Sequence, residues 1–232
     1  MTDDDGSSEK SEGTWRCINC GEAAPSLYRR FAKDMIKLTT CNCCGEAVDK
    51  YVEWEDVLIV IDLLLLYLPA YRHIVHNTKK KRYYKLALLL VVCMAYDRWM
   101  RKERSGMESI FDLESRFYVC ASLSLLEMSL YLISDFLFYF CKNFPIDDCL
   151  LNVHCAILGY FGHFGIVLTI VYGLGDNIFY RILTTSFLFF SHLQIQRASY
   201  SLHWFFSSFL VSLWMMFSLL VPYAIEHTFA PL

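Results

Sequence analysis

Two cysteine pairs carry the clearest chemistry in this 232-residue chain: Cys17-Ile-Asn-Cys20-Gly21 and Cys41-Asn-Cys43-Cys44-Gly45, a C-x2-C-x20-C-x2-C spacing. Each pair can close a turn in which two thiolates and nearby backbone N–H groups face one ion. The glycine after each pair gives the backbone the freedom that such a turn needs. Four thiolates satisfy a tetrahedral zinc ion and leave no open position, so the site is expected to be structural rather than catalytic. The spacing favours zinc over free thiols or disulfides. Cys17, Cys20, Cys41 and Cys44 are the expected ligands. Cys44 is preferred to its neighbour Cys43 because Cys44-Gly45 repeats Cys20-Gly21. The other cysteines, 93, 120, 141, 149 and 155, stand in apolar contexts and read as core thiols. Thiolates persist in a reducing compartment, which places this end of the chain in the cytosol.

The elements that position these thiols are short. Leu27 to Phe31 and Ile36 to Leu38 read as strands, so residues 15–50 have a zinc-ribbon pattern. Before them, residues 1–14 form an Asp-, Ser- and Glu-rich tail expected to be disordered. Lys10 is its only base and it lacks an apolar stretch, so it does not read as a secretory signal.

Beyond the ribbon the composition changes. Hydrophobic residues make up 56% of the chain and charged residues 19%, against about 25% charged in soluble domains. Residues 1–116 hold 18 of the 21 Lys and Arg. A second half so poor in charge suits lipid rather than water, and the expected class is a mainly α-helical polytopic membrane protein with a small N-terminal zinc-ribbon-like β element. A net charge of −3 gives no pull toward nucleic acid. Residues 51–105 read as interfacial or re-entrant helices with a basic segment. Val57 to Leu68 is too short to span, and Leu86 to Ala95 is flanked by bases on both sides. Residues 106–232 read as a bundle of three to four spans: Phe117 to Cys141, Leu150 to Leu174, Trp204 to Ile225 and, less clearly, Ile178 to Ile195.

Polar residues in these segments are the remaining candidates. Glu127 and Asp135 are intramembrane acids, each with a functional reading and a structural one as a satisfied contact to Arg or Tyr of another span. His154 and His163 stand half a turn out of phase and do not read as partners in one site. Lys79, Lys80, Lys81 and Arg82, aided by Arg98, Arg101, Lys102 and Arg104, are candidates for lipid-headgroup contact or for a plain topology signal. No hydrolase, nucleotide-binding or metalloprotease motif appears, so no catalytic residue is assigned and the chain is not expected to be an enzyme.

Residues 15–77 resemble the homology domain of the Arv family. The likeness runs in order through Cys17-Ile-Asn-Cys20-Gly, Leu27-Tyr28, Ile36-Lys-Leu38 and Cys41-x-x-Cys44. It continues through Val48-Asp49-Lys50-Tyr51-Val-Glu53, Ile61-Asp62-Leu63-Leu64-Leu65 and Tyr71-Arg72-His73-Ile74-Val75-His76-Asn77. The resemblance implies an endoplasmic-reticulum membrane protein, or a Golgi one, with a cytosolic N-terminus and a structural zinc ion. It implies non-enzymatic lipid homeostasis: handling or transport of sterol and other lipids, with support of sphingolipid and glycosylphosphatidylinositol-anchor synthesis. The partners implied are membrane lipids (sterol, sphingolipid or phosphoinositide-derived) and glycosylphosphatidylinositol-synthesis enzymes. The alternatives are a scaffold subunit of a membrane glycosyltransferase and a lipid-modifying membrane enzyme.

Overall fold

The computed structural model describes residues 15–32, 35–78, 84–101, 110–141, 149–173, 177–200 and 203–229. It divides into two compact units, residues 1–79 and 80–232.

The first unit is built on two small antiparallel ribbons. Strands β1 (Trp15–Arg16) and β2 (Ala23–Ala24) flank the first cysteine turn. Strands β3 (Tyr28–Ala32) and β4 (Met35–Leu38) form a hairpin that leads into the second turn, with an irregularity between Arg30 and Ala32. Strands β3 and β4 fall where the sequence leads one to expect them, while β1 and β2 have no counterpart in that reading. Cys17, Ala24, Leu27, Cys41 and Val48 make the core. So few apolar side chains cannot stabilise a domain alone, which is the usual reason for a metal staple.

Helix α1 (Asp56–Leu64) and the short α2 (Leu68–Arg72) follow, and α2 runs on as a π turn over His73–Asn77. This helical segment is fastened to the ribbon. Arg72 donates to the carbonyls of Ile18, at 3.1 Å, and of Asn19. Asn77 accepts from Arg16 N and donates back to Arg16 O, at 3.0 and 2.8 Å. The compact unit therefore takes in chain well beyond residue 50.

The second unit is helical: α3 (Tyr84–Arg101), α4 (Ile110–Cys141), α5 (Cys149–Gly159), α6 (Phe164–Val171), α7 (Ile178–Tyr200) and α8 (Trp204–Phe229). Leu90, Met94, Met128, Tyr131, Ala156, Tyr160 and Trp214 fill its core. Along α4 the buried described residues are Cys120, Leu123, Ser124, Met128, Tyr131 and Asp135, the three-to-four spacing of one helix face. Among the described residues one stretch is long and apolar enough to cross a membrane: Phe111–Phe138, 28 residues that hold an 18-residue window of mean hydropathy 1.5. At 1.5 Å per residue it rises about 42 Å.

The apolar stretch 150–174 is not one helix. A 3₁₀ turn at Tyr160–His163 separates α5 from α6. The turn packs closely on α7. A Cβ on Gly159 would stand 2.5 Å from His192 Nδ1, and one on Gly162 would stand 2.7 Å from the Leu188 Cα.

Candidate metal centre

The thiols of Cys17, Cys20, Cys41 and Cys44 all lie within 4.8 Å of one another. Cys17 Sγ is 3.7 Å from Cys44 Sγ, and Cys20 Sγ is 3.6 Å from Cys41 Sγ. A disulfide bond is about 2.05 Å long, so these are separate thiols. A tetrahedron with metal–sulfur bonds of about 2.3 Å has sulfur–sulfur edges of roughly 3.8 Å. The four-sulfur set fits an ion of that kind. Cys43 is exposed and stands outside the cluster, so Cys44 is the member the turn selects.

The two turns are built alike. In the first, Gly21 N donates to Cys17 O at 2.9 Å and Cys17 N donates to Glu22 O at 2.8 Å. In the second, Gly45 N donates to Cys41 O at 3.0 Å and Cys41 N donates to Glu46 O at 2.8 Å. Both glycines have positive φ, +84° and +76°, a conformation costly for residues with a Cβ. The repeated unit is thus Cys-x-x-Cys-Gly-Glu, in which the glycine permits the turn and the following residue supplies the closing carbonyl.

The turns also set the electrostatics. Backbone N–H groups of Cys44 and Cys43 pull the Cys41 thiol down to about 7. Burial pushes Cys17 and Cys20 up. Thiolates this close repel one another, and a divalent cation at their centre removes that cost.

Behind the turns stands a buried carboxylate that the sequence motifs did not single out as a site. Asp49 is fully buried. Its Oδ1 accepts from Tyr51 N at 2.9 Å; its Oδ2 accepts from Asn77 Nδ2 and lies 2.7 Å from His73 Nδ1. Ile18 N donates to Val48 O at 2.9 Å, so the first cysteine turn is tied to the residue before Asp49. The network explains why Asp49, Arg72, His73 and Asn77 accompany the cysteines. The signal was present in the ordered likeness of residues 48–53 and 71–77.

The other candidates are placed as follows. Glu127 accepts from Arg98 at 2.7 Å, an ion pair between α4 and α3. Arg98, one of the aiding bases, thus has an acidic partner inside the helical unit. Asp135 accepts from Tyr200 at 3.2 Å. Both acids thus contact an Arg or a Tyr of another helix. His163 is buried and stacks on Tyr160 at 5.2 Å. Lys79, Lys80, Lys81, Arg82, Lys102 and Arg104 lie outside the described residues, as does the side chain of His154.

The sequence profile of the Arv1-like family matches residues 16–225. A human protein named Protein ARV1 is 35% identical over 130 residues, which are 53% of this chain and 48% of that protein. Protein ARV1 of Saccharomyces cerevisiae is 54% identical over 61 residues, 26% of this chain and 19% of that protein. A Dictyostelium discoideum protein named Protein arv1 homolog is 25% identical over 180 residues, 67% of this chain and 73% of that protein. The chain spans about half the length of the human and bovine relatives. No solved structure matches it.

Proposed function

The chain belongs to the Arv1-like family, and on that premise we propose that it is a polytopic endoplasmic-reticulum membrane protein of lipid homeostasis. It handles or transports sterol and other lipids without converting them, and so supports sphingolipid and glycosylphosphatidylinositol-anchor synthesis. Its N-terminus lies in the cytosol, and its four clustered cysteines hold a structural zinc ion.

The observation that carries the membrane part is the apolar outer surface of the helical unit, which lies over small polar side chains buried between the helices. Phe179, Phe205, Phe209 and Tyr223 are exposed by 61–77%. Ser124, Ser191, His192 and Ser207 are fully buried. Large apolar side chains outside and small polar ones between helices are what a lipid solvent selects, because lipid does not penalise outward apolar surface and small residues let helices approach. The pairing of Glu127 with Arg98 and of Asp135 with Tyr200 supports a non-enzymatic role for both acids. The zinc identity is supported by an all-thiolate ligand set in two Cys-x-x-Cys turns.

The test is reconstitution of the purified full chain in vesicles with labelled sterol and phosphoinositide, following both movement and chemical conversion. Movement between leaflets or vesicles without a new chemical species is expected. Turnover of either lipid into a product, or no movement beyond protein-free vesicles, overturns the proposal.

A further inference from the structure

We infer that the outward face of α1 is a docking surface for one leaflet of a zwitterionic lipid bilayer, in which the helix lies half-immersed along the surface rather than crossing it. The inference rests on the membrane reading above and concerns the first unit. At about 100° per residue, Val60, Leu64, Val57, Ile61, Leu65 and Leu58 fall in that order on one continuous arc of about 160°. Ile59 and Leu63 point the other way and are buried. On the arc, Val57 is 64% exposed, Ile61 45% and Leu65 71%. An apolar arc of this width on a nine-residue helix marks a covered surface, not ordinary scatter.

The rim fits a bilayer. Trp54 and Tyr67 flank α1 and are exposed by 38% and 46%. Lys50 Nζ lies 4.5 Å from the Trp54 ring and 5.1 Å from the Tyr67 ring. Aromatic rings beside an ammonium group seat well at headgroup depth. Asp62 borders the arc, but its carboxylate accepts from Tyr51 OH at 2.7 Å and is held against the ribbon. Nine residues rise about 14 Å, under half a hydrocarbon core of about 30 Å, so the helix lies flat. The same chain carries Phe111–Phe138, so a bilayer is the apolar surface always at hand. Glu53, Glu55 and Asp56 are exposed at the start of α1. They offset Lys50 beside the helix, so the attachment that α1 itself contributes comes from apolar transfer and is insensitive to salt.

The test uses the full chain in phosphatidylcholine nanodiscs, with a fluorescent amino acid at position 61, 65, 46 or 130. Nitroxide lipids carry the quencher either high on the acyl chain or near the bilayer centre. The high nitroxide is expected to quench positions 61 and 65 at least about twofold more than position 46, at low and high salt alike. The deep nitroxide is expected to quench them less. The double substitution Ile61→Asp and Leu65→Asp is expected to abolish quenching of a probe at position 58 with bound metal unchanged. Quenching strongest with the deep nitroxide makes α1 a span and overturns the inference. A blue-shifted probe that no lipid nitroxide quenches means that protein, or a second copy, covers the arc, which also overturns it. Position 130 in α4 separates the two failures: if it too is unquenched, the membrane reading itself is wrong.

Discussion

Cys41 is the thiol that its own turn prepares for a metal ion, because the N–H groups of Cys44 and Cys43 lower it to about 7. The sign of the pH dependence follows. Metal binding needs thiolates, so acid competes with the ion and raising the pH strengthens binding. Apparent affinity in an indicator competition is expected to fall by more than about tenfold per unit below about pH 7. An affinity flat with pH contradicts thiolate ligation. Substitution separates the neighbours. Cys43→Ser is expected to keep full metal content, while Cys44→Ser removes a ligand and leaves the first unit protease-sensitive. Equal loss from both variants would mean that Cys43 can take the place of Cys44.

At the scale of elements, two junctions have measurable cost. Asp49→Ala leaves buried donors from the Tyr51 backbone, His73 and Asn77 without their acceptor. The expected loss is about 3 kcal/mol, read as a lower urea midpoint for the first unit. A midpoint within experimental error of the parent protein would show that the cysteine turns hold the helical segment without the network. In the second unit, Gly162→Ala pushes a methyl group into the Leu188 backbone, which has no rotamer to yield. A cost of about 1–3 kcal/mol in thermal unfolding is expected. Glu127→Ala is expected to cost about 3–5 kcal/mol by stranding Arg98, while Arg98→Leu with Glu127→Leu costs less than that single change. A double variant no better than Glu127→Ala would show that the pair does not act as a unit.

How much of this was legible in the sequence depends on how local the cause is. The four clustered cysteines follow from spacing, and the choice of Cys44 follows from the repeated Cys-Gly. The hairpin follows from two short strand-like segments, Leu27 to Phe31 and Ile36 to Leu38. The Asp49 network is not legible from spacing, because its partners are 24 and 28 residues away and only the fold brings them together. Likewise, the break between α5 and α6 cannot be read from an apolar run. It lies where Gly159 and Gly162 closely meet α7, which only the fold reveals. Glu127 was a candidate by position, and its partner Arg98 became visible only when α3 and α4 were paired.

At the scale of the whole molecule, the chain is two compact units stabilised by different means. The first has a small apolar core and a four-thiol cluster. The second has a larger helical core with apolar side chains facing outward. Structural zinc contributes apparent binding free energies on the order of 10–16 kcal/mol, more than the whole stability of most small domains. Metal removal should therefore unfold the first unit and leave the second intact. The direct measurement is amide hydrogen exchange on the full chain in lipid nanodiscs, before and after chelation under reducing conditions, with bound metal counted in the same sample. One zinc ion per chain is expected, with protection lost on chelation across residues 15–78 and unchanged in α4, α7 and α8. Protection of residues 15–78 that survives complete metal removal, or a chain purified with no bound metal and a protected first unit, would contradict the account.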